Sequence, residues 1–188
     1  MHLISERVQA TGDPAFSKKV KEVSQAGLER CYQCQTCTLS CPVAYAMDLP
    51  PHQLLRMVHL GLKEQVLSST TIWLCATCET CVARCPQEVD ILRVMDTLKE
   101  MALQEKVKSK ESFIPIFHNT FLESIRIFGR QHELSMVVLL KLRTRDLFSD
   151  LDFGIKMLLK GKFGILPPKM QGTKEVKAIF EKTKEAAP

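Results

Sequence analysis

Cys31-Tyr-Gln-Cys34-Gln-Thr-Cys37-Thr-Leu-Ser-Cys41-Pro42 is the stretch on which the fold turns, because it recurs as Cys75-Ala-Thr-Cys78-Glu-Thr-Cys81-Val-Ala-Arg-Cys85-Pro86. Even the threonine before the third cysteine returns, as Thr36 and Thr80. These two blocks hold all 8 cysteines of the 188-residue chain. Disulfides that staple a fold would be spread more widely, and a reducing compartment with a metal site fits better.

Three cysteines, each separated from the next by two residues, place soft thiolates around one small volume, with turn N–H groups free to bond sulfur. An iron–sulfur cubane needs four such ligands. In a Cys-x2-Cys-x2-Cys-x3-Cys-Pro run the fourth cysteine ligates the other cluster. That pattern assigns Cys31, Cys34, Cys37 and Cys85 to one 4Fe–4S cluster, and Cys75, Cys78, Cys81 and Cys41 to a second. The crossing makes the two clusters neighbours in one pseudo-symmetric unit. The competing assignment is a pair of structural zinc sites. Zinc prefers paired Cys-x2-Cys knuckles set apart by longer spans, which two triplets ending in Cys-Pro match badly.

The surroundings of the blocks are helical. Asp13-Pro14 opens a helix with Phe16, Val20 and Val23 on one face and a stop at Gly27. Pro50-Pro51 opens another with Leu54, Leu55 and Val58 inward, closed by Gly61, and a short helix follows from Leu62 to Leu67. Asp90 caps a third with Ile91, Val94, Leu98 and Met101 as its face. No segment here has the period-2 alternation of a strand. The expected fold is all-α, with residues 1–105 as the cysteine-bearing domain and 106–188 as a helical extension that docks on a partner or packs as an ordinary core. In that extension Lys106–Ser112 reads as a linker. Three amphipathic stripes follow: Phe117/Phe121/Ile125/Phe128, Leu134/Val137/Val138/Leu142 and Val176/Ile179/Phe180. A Gly- and Pro-rich loop lies at Lys160–Pro168.

Charge excludes less than it suggests. The formal net charge is +5, but eight thiolates and two oxidised clusters would bring it to about +1. Acidic and basic residues are interleaved, so a nucleic-acid partner is not expected. The first ten residues lack a signal-peptide pattern and the apolar runs are too short to span a bilayer. The expectation is a cytoplasmic protein. His52, His59, His118 and His132 show no ligand spacing and read as surface or helix-face histidines. Tyr32 and Trp73 flank ligands, as core packing or as a water shield. Arg143, Arg145, Lys156, Lys160 and Lys162 form a basic stretch suited to an acidic partner or to plain solvation.

The double motif in this helical setting resembles the α-helical ferredoxin domain of succinate dehydrogenase and fumarate reductase iron–sulfur subunits, glycolate oxidase and anaerobic glycerol-3-phosphate dehydrogenase subunits, and heterodisulfide reductase. It is most similar to the C-subunit family of heterodisulfide reductase, through chain size, the Cys31–Pro42 block, and Trp73 two residues before the second block. Lys160-Gly-Lys and Leu166-Pro167 also resemble that family and a quinone-interacting relative.

The resemblance implies a relay between a flavin-containing A-type partner and a catalytic B-type partner with cysteine-rich CCG motifs. The alternative within the same resemblance is a relay in a quinone-linked or sulfur-oxidising complex. The residues agree with a relay. No Cys-Cys pair is present, the eight ligands leave no spare thiol, and there is no Gly-rich dinucleotide fingerprint. Catalysis and flavin are expected on other chains.

Overall fold

The computed structural model describes residues 12–107, 113–145, 149, 154, 156–157, 159–161 and 171–186. Among them there is no strand, as the missing period-2 patterning anticipated. The chain divides into two compact units, Met1–Glu111 and Ser112–Pro188.

In the first unit, helix α1 spans Pro14–Ser24 because Asp13 caps it, accepting the Ala15 N–H at 2.9 Å, and Pro14 presets the first turn. Its buried face is Phe16, Ser17, Val20 and Ser24, while Val23 is exposed. The spacing 16–20–24 holds one azimuth; Val23 lies off it. The helix ends early, at left-handed Gln25, not at Gly27.

Each cysteine block then folds the same way. Cys31 and Cys75 are extended, at φ −68° and −59°. One-turn helices follow at Thr36–Leu39 (α2) and Thr80–Ala83 (α6). Between the blocks run α3 (Pro51–His59), α4 (Lys63–Leu67) and α5 (Thr71–Leu74), and after them comes α7 (Ile91–Gln104).

The repeat extends into these flanking helices. The order of buried and exposed positions in Pro51–Leu60 matches that in Ile91–Glu100 at every residue but one. Blocks correspond at an offset of about 44 residues and the helices after them at about 40, the difference being extra residues around the 3-10 turn Ala44–Ala46. α2 packs on α3, α6 on α7, and α2 on α6.

The core of this unit is Val20, Leu28, Leu54, Leu55, Val58, Val66, Ile72, Ile91, Val94 and Leu98, all at most 2 % exposed. Gly61 is needed where α3 turns back: φ is +74°, and a Cβ there would meet the Asp13 backbone at 2.5 Å.

The second unit is built differently. Helices α8 (Phe113–Phe128), α9 (Glu133–Thr144) and one over Thr173–Ala186 pack with α8 central. The α8 residues fully buried are Thr120 and Ser124, and its Phe117/Phe121/Ile125/Phe128 stripe is half-buried. In α9 the buried apolar residue is Met136, whereas Val137, Val138 and Leu142 face outward. Polar anchors set that face. The His132 N–H donates to Ser124 Oγ at 3.3 Å, and Arg143 donates to Thr120 Oγ1 at 3.1 Å and pairs with Glu123. Val176 and Phe180 are half-buried and Ile179 is exposed.

Arg143 is thus used inside its own unit. Lys162, most of the Lys160–Pro168 loop with the Leu166-Pro167 segment, and most of the Lys106–Ser112 linker lie outside the described residues. Among the described residues no helix is long and apolar enough to cross a membrane.

Candidate metal centre

The tight turns between cysteines force the backbone into conformations that side chains avoid. Gln33 and Gln35 have φ of 64° and 67°, and their counterparts Thr77 and Glu79 have 51° and 59°. Each such non-glycine position costs about 1–2 kcal/mol. Four of them stand in matched pairs between the cysteines of the two blocks, the kind of strain that clusters at functional sites. Left-handed residues thus stand at matched positions on either side of Cys34 and of Cys78.

The chain path gathers the cysteines into two sets. One cavity is lined by Cys31, Cys34, Cys37 and Cys85, closed by Leu55, Pro86 and Val89. The other is lined by Cys75, Cys78, Cys81 and Cys41, closed by Val43, Met47, Pro51 and Met95. Ile91 lines both. The cavities are therefore neighbours, and each takes three cysteines from one block and the last cysteine of the other.

Electrostatics within the sets repeat as well. Cys34 Sγ lies 3.3 Å from Thr36 Oγ1 and Cys78 Sγ 3.4 Å from Thr80 Oγ1. Those hydroxyls, helped by the same threonines' N–H groups, hold both exposed thiols below the ordinary cysteine value. This explains the repeated threonine: it stabilises the thiolate form that binds metal. Burial pushes Cys37 up to about 11, opposed by the Thr38 hydroxyl, and Cys31 adds to the rise. Burial also pushes Cys81 up to about 11, with Cys75 and then Cys37 of the other set adding to it. Crowded thiols that resist ionisation together are what a bound cation relieves.

Two supports hold the second block in place. Asp48 accepts the N–H of Thr70 at 3.0 Å, the N–H of Thr71 at 3.2 Å and the Thr71 hydroxyl at 2.9 Å, so it caps α5 just before Cys75. Burial alone would raise its carboxyl; the Thr70 and Thr71 bonds outweigh that and hold it below the usual value. Trp73, on α5, is 6 % exposed and belongs to the core, with its indole Nε1 buried and unpartnered among the described residues. Tyr32 is 59 % exposed.

The histidines divide. His118 is exposed. His59 is half-buried and bonds the Leu28 carbonyl through Nε2 at 2.9 Å. His132 is the N-cap of α9, its Nδ1 accepting the Ser135 N–H at 3.2 Å. His52 lines the first cavity and sits 2.8 Å from Thr38 Oγ1 through Nδ1. Its spacing in sequence carried no sign of that position, because the link to Thr38 spans 14 residues and crosses between helices.

The donor sets fit a cubane: four thiols per cavity, apolar closure, and donors aimed at sulfur. Among the described residues no three His, Cys, Asp or Glu side chains stand close enough to share a single metal ion. The sulfurs of each set surround a cavity, not a point.

The family described as "4Fe-4S dicluster domain" matches residues 27–89. That stretch of the chain is similar to a 4Fe–4S dicluster domain. Beyond that domain, curated proteins similar to the chain are named as C subunits of heterodisulfide reductase. The C subunit of the H(2):CoB-CoM heterodisulfide,ferredoxin reductase of Methanothermobacter marburgensis is 39% identical over 90 residues, 48% of this chain and 49% of that protein. The C2 subunit of the H(2)/formate:CoB-CoM heterodisulfide,ferredoxin reductase of Methanococcus maripaludis is 41% identical over 102 residues, 54% of this chain and 52% of that protein. The C subunit of the ferredoxin:CoB-CoM heterodisulfide reductase of Methanosarcina acetivorans is 36% identical over 91 residues, 48% of this chain and 36% of that protein. The chain spans about half the length of the first two relatives. An iron–sulfur electron-transfer subunit within a multi-subunit assembly is what these similarities support.

Proposed function

We propose that the chain is the non-catalytic electron-transfer subunit of a cytoplasmic heterodisulfide-reductase-like complex. It relays single electrons between a flavoprotein partner of the A type and a CCG-type catalytic partner of the B type. Cys31, Cys34, Cys37 and Cys85 hold one 4Fe–4S cluster; Cys75, Cys78, Cys81 and Cys41 hold the other. When bound, each cluster supplies a one-electron acceptor and donor. The chain's own residues bind it, exclude water from its inner face, and fix its distance to its neighbour.

The observation that carries this reading is the pair of adjacent cavities, each lined by four thiols drawn from both blocks. The extension of residues 106–188 is assigned to docking, on the ground that Phe113, Leu122, Val138, Leu142 and Ile179 remain exposed there.

The test is anaerobic isolation of the native complex with iron and acid-labile sulfide analysis of this protein. Co-purification with a flavoprotein and a CCG protein, and two clusters' worth of iron and sulfide, is expected. Zinc without sulfide overturns the cluster assignment. A membrane cytochrome as the stable partner moves the chain to a quinone-linked complex.

A further inference from the structure

The two cavities come from one repeat, yet the groups that touch sulfur differ between them. In the first, burial disfavours charge on the Cys37 sulfur and the Thr38 hydroxyl favours it. Thr38 Oγ1 also accepts the His52 backbone N–H at 3.1 Å and lies 2.8 Å from His52 Nδ1. A hydroxyl has one proton and two lone pairs. In the His52 tautomer with its hydrogen on Nδ1, both lone pairs are filled and the hydroxyl proton is left for the Cys37 sulfur. At the corresponding positions the second half has Val82 and Leu92, whose side chains donate nothing.

Two further bonds lie on the same side. Gln33 Nε2 donates to Cys31 Sγ at 3.4 Å, whereas its counterpart Thr77 gives its hydroxyl to the Ala76 carbonyl at 2.8 Å. The Val89 N–H donates to Cys85 Sγ at 3.4 Å. No matching bond reaches Cys41 Sγ among the described residues. Charge runs the same way: Gln35 lines the first cavity, and in its place Glu79 lines the second.

All four differences have one sign. A hydrogen bond to a ligand sulfur disperses its negative charge and eases the arrival of an electron; a carboxylate beside the ligands opposes it. On the two-cluster reading above, we infer that the Cys31–Cys34–Cys37–Cys85 site holds an added electron in preference to the Cys75–Cys78–Cys81–Cys41 site, with Thr38, His52, Gln33 and Glu79 as the residues that set the order. An electron delivered to the second site then passes to the first and rests there. One electron moves, and no proton or atom moves with it.

The test is a redox titration of the full chain carrying its clusters, followed by electron paramagnetic resonance. Two resolved reduction steps are expected. Thr38→Val lowers the upper step and leaves the lower; His52→Leu does the same by a smaller shift, with Thr38 still in place. Glu79→Gln raises the lower step alone, and as an exposed residue its replacement disturbs no packing, so it carries the test if Thr38→Val does not load iron. A single unresolved step, or movement of the lower step in Thr38→Val or His52→Leu, overturns the inference while the two-cluster reading stands. A wild-type chain that holds zinc and no sulfide removes that reading instead.

Discussion

The two units of this chain achieve order by different means. Residues 12–107 bury a continuous set of aliphatic side chains under two thiol-lined cavities. Among the described residues of the second unit, the apolar side chain counted as buried is Met136, and its helices are registered by Thr120, Ser124, His132 and Arg143. The first unit is held from inside by apolar contact and, when loaded, by its clusters. The second is registered by polar contacts and keeps its apolar surface outside.

The largest effect that sharpens the contrast is metal removal. Stripping iron under anaerobic chelation leaves crowded thiols in both cavities with nothing to bridge them, so the helices of residues 12–107 should melt while α8 and α9 persist. Far-UV circular dichroism and hydrogen exchange would resolve this, and undiminished protection of α7 in the apo-chain would contradict it.

Next comes side-chain truncation. Leu98, wholly buried in α7, should cost about 2–5 kcal/mol as Leu98→Ala. Val138→Ala, on the open face of α9, should stay within about 0.5 kcal/mol. Denaturant midpoints on the loaded chain measure both.

Much of the first unit was legible in the residues. The caps Asp13 and Asp90, and the faces Leu54/Leu55/Val58 and Ile91/Val94/Leu98/Met101 depend on local order alone, and all of these side chains are placed as their spacing implied. What was not legible depends on contacts through space. Asp48 reaches α5 across 22 residues, and His52 meets Thr38 only because α2 lies on α3. Left-handed backbone at Gln33, Gln35, Thr77 and Glu79 left no glycine to announce it. In α9 the stripe Leu134/Val137/Val138/Leu142 did not show which reading holds; Met136 is buried beside the Ser124 and Arg143 contacts, and Val137, Val138 and Leu142 are exposed.

Smaller effects probe the polar ties of the first unit. Asp48→Ala removes the carboxylate that caps the approach to Cys75 and should cost about 1 kcal/mol, the usual worth of such a cap. Because the folded form holds this carboxyl low, its contribution is present above the ordinary carboxylate value and fades as pH falls through the folded value; Asp48→Ala should flatten that acid limb.

His59 gives the smallest shift. Burial, the largest cause, lowers its folded value below the unfolded one at about 6.5, against the Leu28 bond. The unfolded chain then takes up the proton first, so stability falls as pH drops below about 6.5, and His59→Gln should remove that slope. Denaturation curves between pH 5 and 8, run on wild type and variant, check the sign.

The most direct test of the central claim compares three variants of the loaded chain by electron paramagnetic resonance: Cys34→Ser, Cys78→Ser and Cys85→Ser. With the cysteines shared as two crossed sets, Cys85→Ser removes or alters the same spectral component as Cys34→Ser and spares the one lost in Cys78→Ser. If Cys85→Ser instead reproduces Cys78→Ser, each block holds its own cluster and the crossed assignment is wrong.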